Sequence, residues 1–197
     1  MPDGTLYYGG GKDGMGDFVC GAPPSCGSFK FYLTTGIASA QAAVSSVPVL
    51  YNTPPVVGSL QVPVVLRIMA VRIGVVSGTV VAGDILYGVA SAVTFSSTTP
   101  GPAGINTFIG RGASTLAGWF TVATASAAPT ILPTTGLSAG GNLAAGALMN
   151  LTDFVNGSIV LPPGASFWPF IANGAAAPAL TALVTVDVIQ TPMYAGY

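Results

Sequence analysis

The sequence is short of charge. Charged residues make up 6% of the 197 residues, against roughly 25% in typical soluble domains. Histidine and glutamate are absent, and the net charge is −1. A free monomer normally stays soluble through a mixed charged surface, so this composition indicates that copies of the chain, or a partner, cover much of its surface. With no basic cluster, we expect no nucleic-acid partner.

The missing residue types also limit the chemistry. Without histidine or glutamate, general acid–base catalysis would fall to Asp, Lys, Tyr or Cys, and Asp84, Asp153 and Asp187 follow no catalytic motif. Two cysteines without histidine do not make a zinc site, and residues 9–12 (GGGK) lack the spacing of a phosphate loop. We therefore expect a non-enzymatic protein with no metal, no cofactor and no small-molecule substrate.

Long hydrophobic runs are missing as well. Although 51% of the chain is hydrophobic, no stretch of about 18 strongly apolar residues occurs. The first residues lack the basic-then-apolar pattern of a signal peptide. We expect no membrane partner and synthesis in the cytoplasm of a host cell.

Residues 1–28 form a segment of their own. Glycine, aspartate, tyrosine and proline dominate it, so it cannot bury enough apolar area to fold alone. We interpret it as an extended N-terminal arm that becomes ordered on a neighbouring subunit or shell, rather than as a disordered tail. Its expected anchors are its large apolar side chains, Leu6, Tyr7, Tyr8, Met15 and Phe18.

The two cysteines lie close together near the end of this segment. Two prolines and a glycine between Cys20 and Cys26 fold the chain back, so a local disulfide is sterically feasible. Cytosolic synthesis favours the alternative, two packed thiols that stay reduced until release.

Strands separated by Gly/Pro turns fill the rest of the chain. Residues 64–76 are apolar on both faces, so both faces are expected to contact protein. In the last strand Val184, Val186 and Val188 share one face. Asn156-Gly157 predicts a hairpin, and residues 96–106 (SSTTPGPAGIN) predict a loop.

This pattern predicts an all-β, antiparallel β-sandwich. Two long central strands and a long final strand favour a jelly roll among such folds. It would span residues 29–192, between the arm and a short C-terminal tail at residues 193–197. Trp119 and Trp168 fall within strands and are expected in the core.

Two arginines interrupt the apolar central strand. Arg67 and Arg72 are five residues apart, so on a regular strand they would face opposite ways. A buried arginine needs an anionic partner. We expect one to pair with a carboxylate such as Asp84 or Asp187 and the other to contact a neighbouring subunit. Arg67, Met69 and Arg72 are therefore predicted at a subunit interface.

Two stretches resemble a known type of protein. LYNTPPVVGSLQVPVVLRIMAVRI (residues 50–73), followed by VSGTVVAGDILYG, resembles the opening of trimeric jelly-roll modules in viral and bacteriophage structural proteins. NGSIVLPPGASFWPFIA and VTVDVIQTP resemble the closing half of the same modules.

The resemblance implies a function in the virion. The expected protein is a homotrimeric capsid decoration (cement) protein that binds the major capsid protein on the capsid surface and stabilises the shell. The alternatives are a receptor- or glycan-binding head of a spike or fibre, and a single-jelly-roll coat protein.

Overall fold

The computed structural model describes residues 8–9, 17–18, 27–36, 47–58, 62–78, 83–91, 94–107, 115–132, 138–139, 150–172 and 180–193. Every regular element within these ranges is a strand, so the predicted all-β class is confirmed for them. The strands are β1 (Tyr8–Gly9), β2 (Asp17–Phe18), β3 (Gly27–Gly36), β4 (Val47–Tyr51), β5 (Val64–Gly78), β6 (Gly83–Ala90), β7 (Phe95–Ala103), β8 (Ile105–Asn106), β9 (Gly118–Ala125), β10 (Thr130–Leu132), β11 (Ser138–Ala139), β12 (Asn150–Asp153), β13 (Ile159–Leu161), β14 (Ser166–Ala172) and β15 (Leu180–Pro192).

Six of these strands form an antiparallel sheet. Its order is β12-β5-β15-β3-β8, and β13 also pairs with β5. The two longest strands, β5 and β15, pair along their lengths at its centre. Val184, Val186 and Val188 are all buried on the inner face, as their alternation predicts.

A second antiparallel sheet has seven strands. Its order is β10-β6-β14-β4-β9-β7, and β11 also pairs with β6. The inner faces of the two sheets share one core, in which Phe29 and Phe31 of the first sheet are clustered with Leu50, Trp119 and Phe167 of the second. Two antiparallel sheets packed in this way form a β-sandwich.

A β-bulge in β5 changes which side chains share a face. The pairing between β5 and β15 skips Met69. Ile68 and Val71 are three residues apart, yet both lie in the main core, because the extra residue of a bulge interrupts the alternation. Arg67 and Arg72 consequently lie on the same, outer side of the sheet. The prediction that they face opposite ways is wrong.

Asn156 and Gly157 form a turn, but the predicted hairpin is wrong. Both have positive φ, 49° and 76°, which suits a two-residue turn. The strands on either side, β12 and β13, both pair with β5. Asn156 N donates to the carbonyl of Met69 at 3.0 Å. Gly157 N donates to the carbonyl of Ile68 at 2.8 Å. The turn therefore interrupts one edge strand and docks on the bulge.

Residues 96–106 lie mostly in strands β7 and β8, so the predicted loop is wrong. β7 pairs with β9 in the seven-stranded sheet, and β8 pairs with β3 in the six-stranded sheet. The chain passes from one sheet to the other at Gly104, where a Cβ atom would lie 2.5 Å from Cε1 of Phe31. β7 is an edge strand, and edge strands tolerate proline, which is why a proline-rich sequence forms a strand here.

Little of the predicted arm falls within the described residues. Tyr8–Gly9 and Asp17–Phe18 pair antiparallel as a separate two-stranded sheet. The other arm anchors and the cysteines lie outside the described ranges: Leu6, Tyr7, Met15, Cys20 and Cys26. The arm, the disulfide and the C-terminal tail stay predictions. Among the described residues, none forms an apolar helix of membrane-spanning length.

Candidate assembly surface

The outer face of the six-stranded sheet, the side turned away from the core, exposes apolar side chains. Tyr32, Val160 and Leu183 are 39%, 42% and 40% exposed, and Val76 is 58% exposed. They belong to four strands, so they spread across the sheet. Apolar side chains distributed over one face of a charge-poor protein are typical of a contact surface.

An ionic cluster occupies the middle of this outer face. The guanidinium of Arg72 donates to Oδ2 of Asp187, and Nζ of Lys30 lies 3.5 Å from Oδ1. Lys30 is the direct cross-strand partner of Asp187. All three side chains are partly exposed, so each pair contributes about 1 kcal/mol or less to stability. The cluster's main effect is to hold two cations in place on the face.

Arg67 adds a third cation to the outer face. It lies beside Val160 of β13, it is exposed, and no carboxylate in the described part of the chain pairs with it. The face therefore holds three cations against the single carboxylate of Asp187, a net charge of +2. These are three of the five basic residues in the whole chain.

The structure brings the predicted interface residues Arg67, Met69 and Arg72 together on this face. A Cβ atom at Gly157 would lie 3.6 Å from Sδ of Met69 and 3.8 Å from Cβ of Arg67, so both side chains pack beside the turn at residues 156–157. The expected pairing of one arginine with Asp187 is present through Arg72. The subunit contact itself stays a prediction.

Sequence reasoning missed Tyr32 and Leu183 on the same face. The signal lay in the alternation of the final strand, where Leu183 has the phase of Thr185 and Asp187 and the opposite phase to the buried valines. Aligning that strand with β3 places Tyr32 opposite Thr185. The register needed for this step depends on the tertiary pairing, which a single sequence does not reveal.

A buried amide, Asn52, ties the two sheets together at one end. It follows β4 of the seven-stranded sheet and is fully buried. Its Nδ2 donates to the carbonyls of Val64 (2.8 Å) and Leu161 (2.9 Å), which belong to the six-stranded sheet. The backbone carbonyl of Asn52 accepts from Gly164 N at 2.7 Å. These bonds fix the start of β5, the strand that carries the interface residues.

A tyrosine joins the sheets at another point. Tyr87 on β6 is almost fully buried, and its hydroxyl donates to Oδ2 of Asp153 on β12 at 2.9 Å. Burial, followed by the neighbouring carboxylate, raises the pKa of Tyr87 far above its usual value. The hydroxyl therefore stays a donor at neutral pH, and Asp153 has a structural partner that explains its presence.

The outer face of the seven-stranded sheet has a different character. Trp168 is 3% exposed there and meets Phe95 edge to face, with ring centroids 6.4 Å apart. Tyr51 stacks on Phe120 at 5.7 Å. Trp168, Phe95 and Phe120 belong to a second apolar cluster, and Tyr51 packs against two of these rings. Trp119, 2% exposed, lies in the main core. Both tryptophans are therefore buried as predicted, although Trp168 lies in the second cluster.

The side chains on the outer face are of types found at protein contacts. The described residues contain no group of three His, Cys, Asp or Glu side chains that would hold a metal ion. Arginine and tyrosine on an apolar background are the residue types enriched at protein–protein interfaces. No protein-family model, curated protein or solved structure matches the chain.

Proposed function

We propose that the chain is a non-enzymatic structural protein of a virus particle. It is a jelly-roll decoration (cement) protein that assembles as a homotrimer on the capsid surface, binds the major capsid protein and stabilises the shell. The observation that carries this proposal is the strand order of the two sheets, which supports the fold that the sequence resemblance implies.

Eight strand units account for most of both sheets. In chain order they are β3, β4, β5, β6, β10 with β11, β12 with β13, β14 and β15. A jelly roll places units 1, 8, 3 and 6 in one sheet and units 2, 7, 4 and 5 in the other, as two Greek keys. With this count the six-stranded sheet runs 6-3-8-1 and the seven-stranded sheet runs 5-4-7-2. Both orders agree with the jelly roll.

The remaining strands β7, β8 and β9 are an insertion between units 4 and 5. β8 extends the six-stranded sheet beside β3, and β9 and β7 extend the seven-stranded sheet beside β4. Unpaired edge strands invite non-specific pairing between molecules. The insertion covers the edges at β3 and β4, while β12 with β13 and β10 remain at the opposite edges of the two sheets.

Jelly rolls serve as capsid, lectin and cupin domains, so the choice of function rests on the surface. A charge-poor chain whose outer face combines exposed apolar side chains with a net charge of +2 favours contact with other protein. The burial of Trp119 and Trp168 disfavours a glycan-binding head, which would present such rings in exposed loops. A coat protein with a nucleic-acid-binding arm is disfavoured because residues 1–28 carry Asp3, Asp13 and Asp17 against Lys12.

The test is co-sedimentation of the purified chain with capsids of the virus that encodes it. We expect saturable binding and capsids that withstand higher temperature. A variant without residues 1–28 shows whether capsid binding requires the arm or only the sandwich. Absence of binding, or clear hits on a glycan array, would reject the decoration role in favour of the alternatives.

A further inference from the structure

We propose that the N-terminal segment of one copy, residues 1–26, docks on the outer face of the six-stranded sheet of a neighbouring copy. This inference rests on the proposed self-assembly and names the contact that produces it. It follows from the charge and the apolar content of the segment and the face, and from the exposure of the face.

The positive charge of the outer face indicates what kind of surface can bind to it. Lys30, Arg67 and Arg72 stand against one carboxylate, Asp187, and Arg67 has no carboxylate partner in the described part of the chain. Two such faces brought together would place cations against cations, and like charges across an interface disfavour association. The occupant is therefore a different surface, anionic and apolar.

The N-terminal segment has both properties. Side chains in residues 1–26 comprise three carboxylates and one lysine, a net charge of −2 that balances the +2 of the face. The segment holds half of the six carboxylates of the chain. Of the others, Asp187 belongs to the face itself and Asp153 is bound by Tyr87. The segment also supplies apolar side chains for the exposed apolar positions of the face: Leu6, Tyr7, Tyr8, Met15 and Phe18.

The described parts of the segment support a contact between copies. Tyr32, Val160 and Leu183 are exposed and offer apolar area to an occupant. Tyr8–Gly9 pairs with Asp17–Phe18 and with neither sheet of the sandwich. A contact in which each copy donates its segment to one neighbour and accepts the segment of another is head-to-tail, and it forms a ring such as a trimer when the rotation between copies closes.

Photo-crosslinking of the full chain tests this contact. p-Benzoylphenylalanine replaces Leu183 on the face or, as a control, the fully exposed Val57 in the loop after β4. Equal amounts of ¹⁴N- and ¹⁵N-labelled protein are mixed, dissociated, reassembled and irradiated. We expect position 183 to cross-link to peptides of residues 1–26 in pairs that carry both labels, and position 57 to give none of these.

Charge-reversal variants provide an independent test of the contact between the segment and the face. Arg67→Glu lowers the net charge of the face from +2 to 0 and is expected to lower the cross-link yield about fivefold. Thr53→Glu, which adds negative charge away from the face, should leave the yield unchanged. Cross-links to any other part of the chain, cross-links within one copy, or none at all would overturn the proposal. Light scattering of the same samples separates this outcome from failure of the proposed function, because a trimer with a different contact would still support a decoration protein.

Discussion

Arg72 and Asp187 lie on neighbouring strands of the six-stranded sheet, and the guanidinium of one donates to the carboxylate of the other. The direct partner of Arg72 is Thr185, so the pair is diagonal and Asp187 remains opposite Lys30. One carboxylate thus connects three strands. Because the bulge at Met69 turns Arg72 outward, the backbone irregularity and the ion pairs together create the charged centre of the proposed assembly surface.

Glutamate on the two faces of β5 near the bulge should have different effects. Val71 lies in the main core, so Val71→Glu buries an unpaired charge and should lower the free energy of unfolding by about 3 kcal/mol or more. Met69 lies on the outer side, so Met69→Glu should preserve folding and weaken self-association. Urea unfolding at equal protein concentration, together with light scattering, distinguishes the two effects. Equal destabilisation by both variants would contradict the assignment of faces.

Removal of the buried amide should loosen one end of the sandwich. Asn52→Ala deprives the carbonyls of Val64 and Leu161 of their donor, and unpaired buried carbonyls are costly, so we expect a loss of about 2–4 kcal/mol. Thr53→Ala is the matched control at an exposed neighbour, with an expected change within about 0.5 kcal/mol. Urea denaturation monitored by tryptophan fluorescence measures both. Similar values for the two variants would show that the amide does not tie the sheets.

Tyr87→Phe should change the alkaline limit of stability. The pKa of Tyr87 is raised in the folded protein above its ordinary value of 10.0, so the folded state holds the proton more tightly than the unfolded state. Its contribution is therefore fully present below about pH 10 and is lost as the pH rises further. The stability advantage of the wild type over Tyr87→Phe should stay constant up to about pH 9.5 and shrink steadily between about pH 10 and pH 11.5. An advantage that stays constant or grows in urea titrations over this range would contradict the buried, protonated hydroxyl.

Gly104→Ala tests the place where the insertion crosses between the sheets. The added methyl would meet the ring of Phe31, so the ring or the crossing must move, at a cost of about 1–3 kcal/mol. Gly118→Ala is the matched control, because nothing lies within 4 Å of its Cβ position. Thermal unfolding measures the stability that each variant loses relative to the wild type. A neutral Gly104→Ala would mean that the chain does not pass so close to Phe31.

Elements defined by local pattern could be predicted from the sequence. The valines at 184, 186 and 188 alternate with polar residues, and they are buried as expected. Pro63 has no backbone donor for a ladder, and β5 begins directly after it. The tryptophans were predicted to be buried from their positions in strands, and both are buried, Trp119 in the main core and Trp168 in the second cluster.

Elements defined by long-range pairing could not be predicted. The outward direction of Arg72 depends on a bulge that exists only because β5 pairs with β15. The Asn156-Gly157 turn obeys its local rule, yet its amides bind the carbonyls of β5, so a hairpin does not form. The assembly surface was found in part, because its arginines and Met69 are local features, whereas Tyr32 and Leu183 join them only through sheet register.

Light scattering of the purified chain at micromolar concentration tests the central claim, self-assembly, most directly. The account predicts a stable particle of three times the chain mass of 19.5 kDa, which loses mass when Met69→Glu or Arg67→Glu alters the outer face. A well-behaved wild-type monomer at that concentration would contradict it.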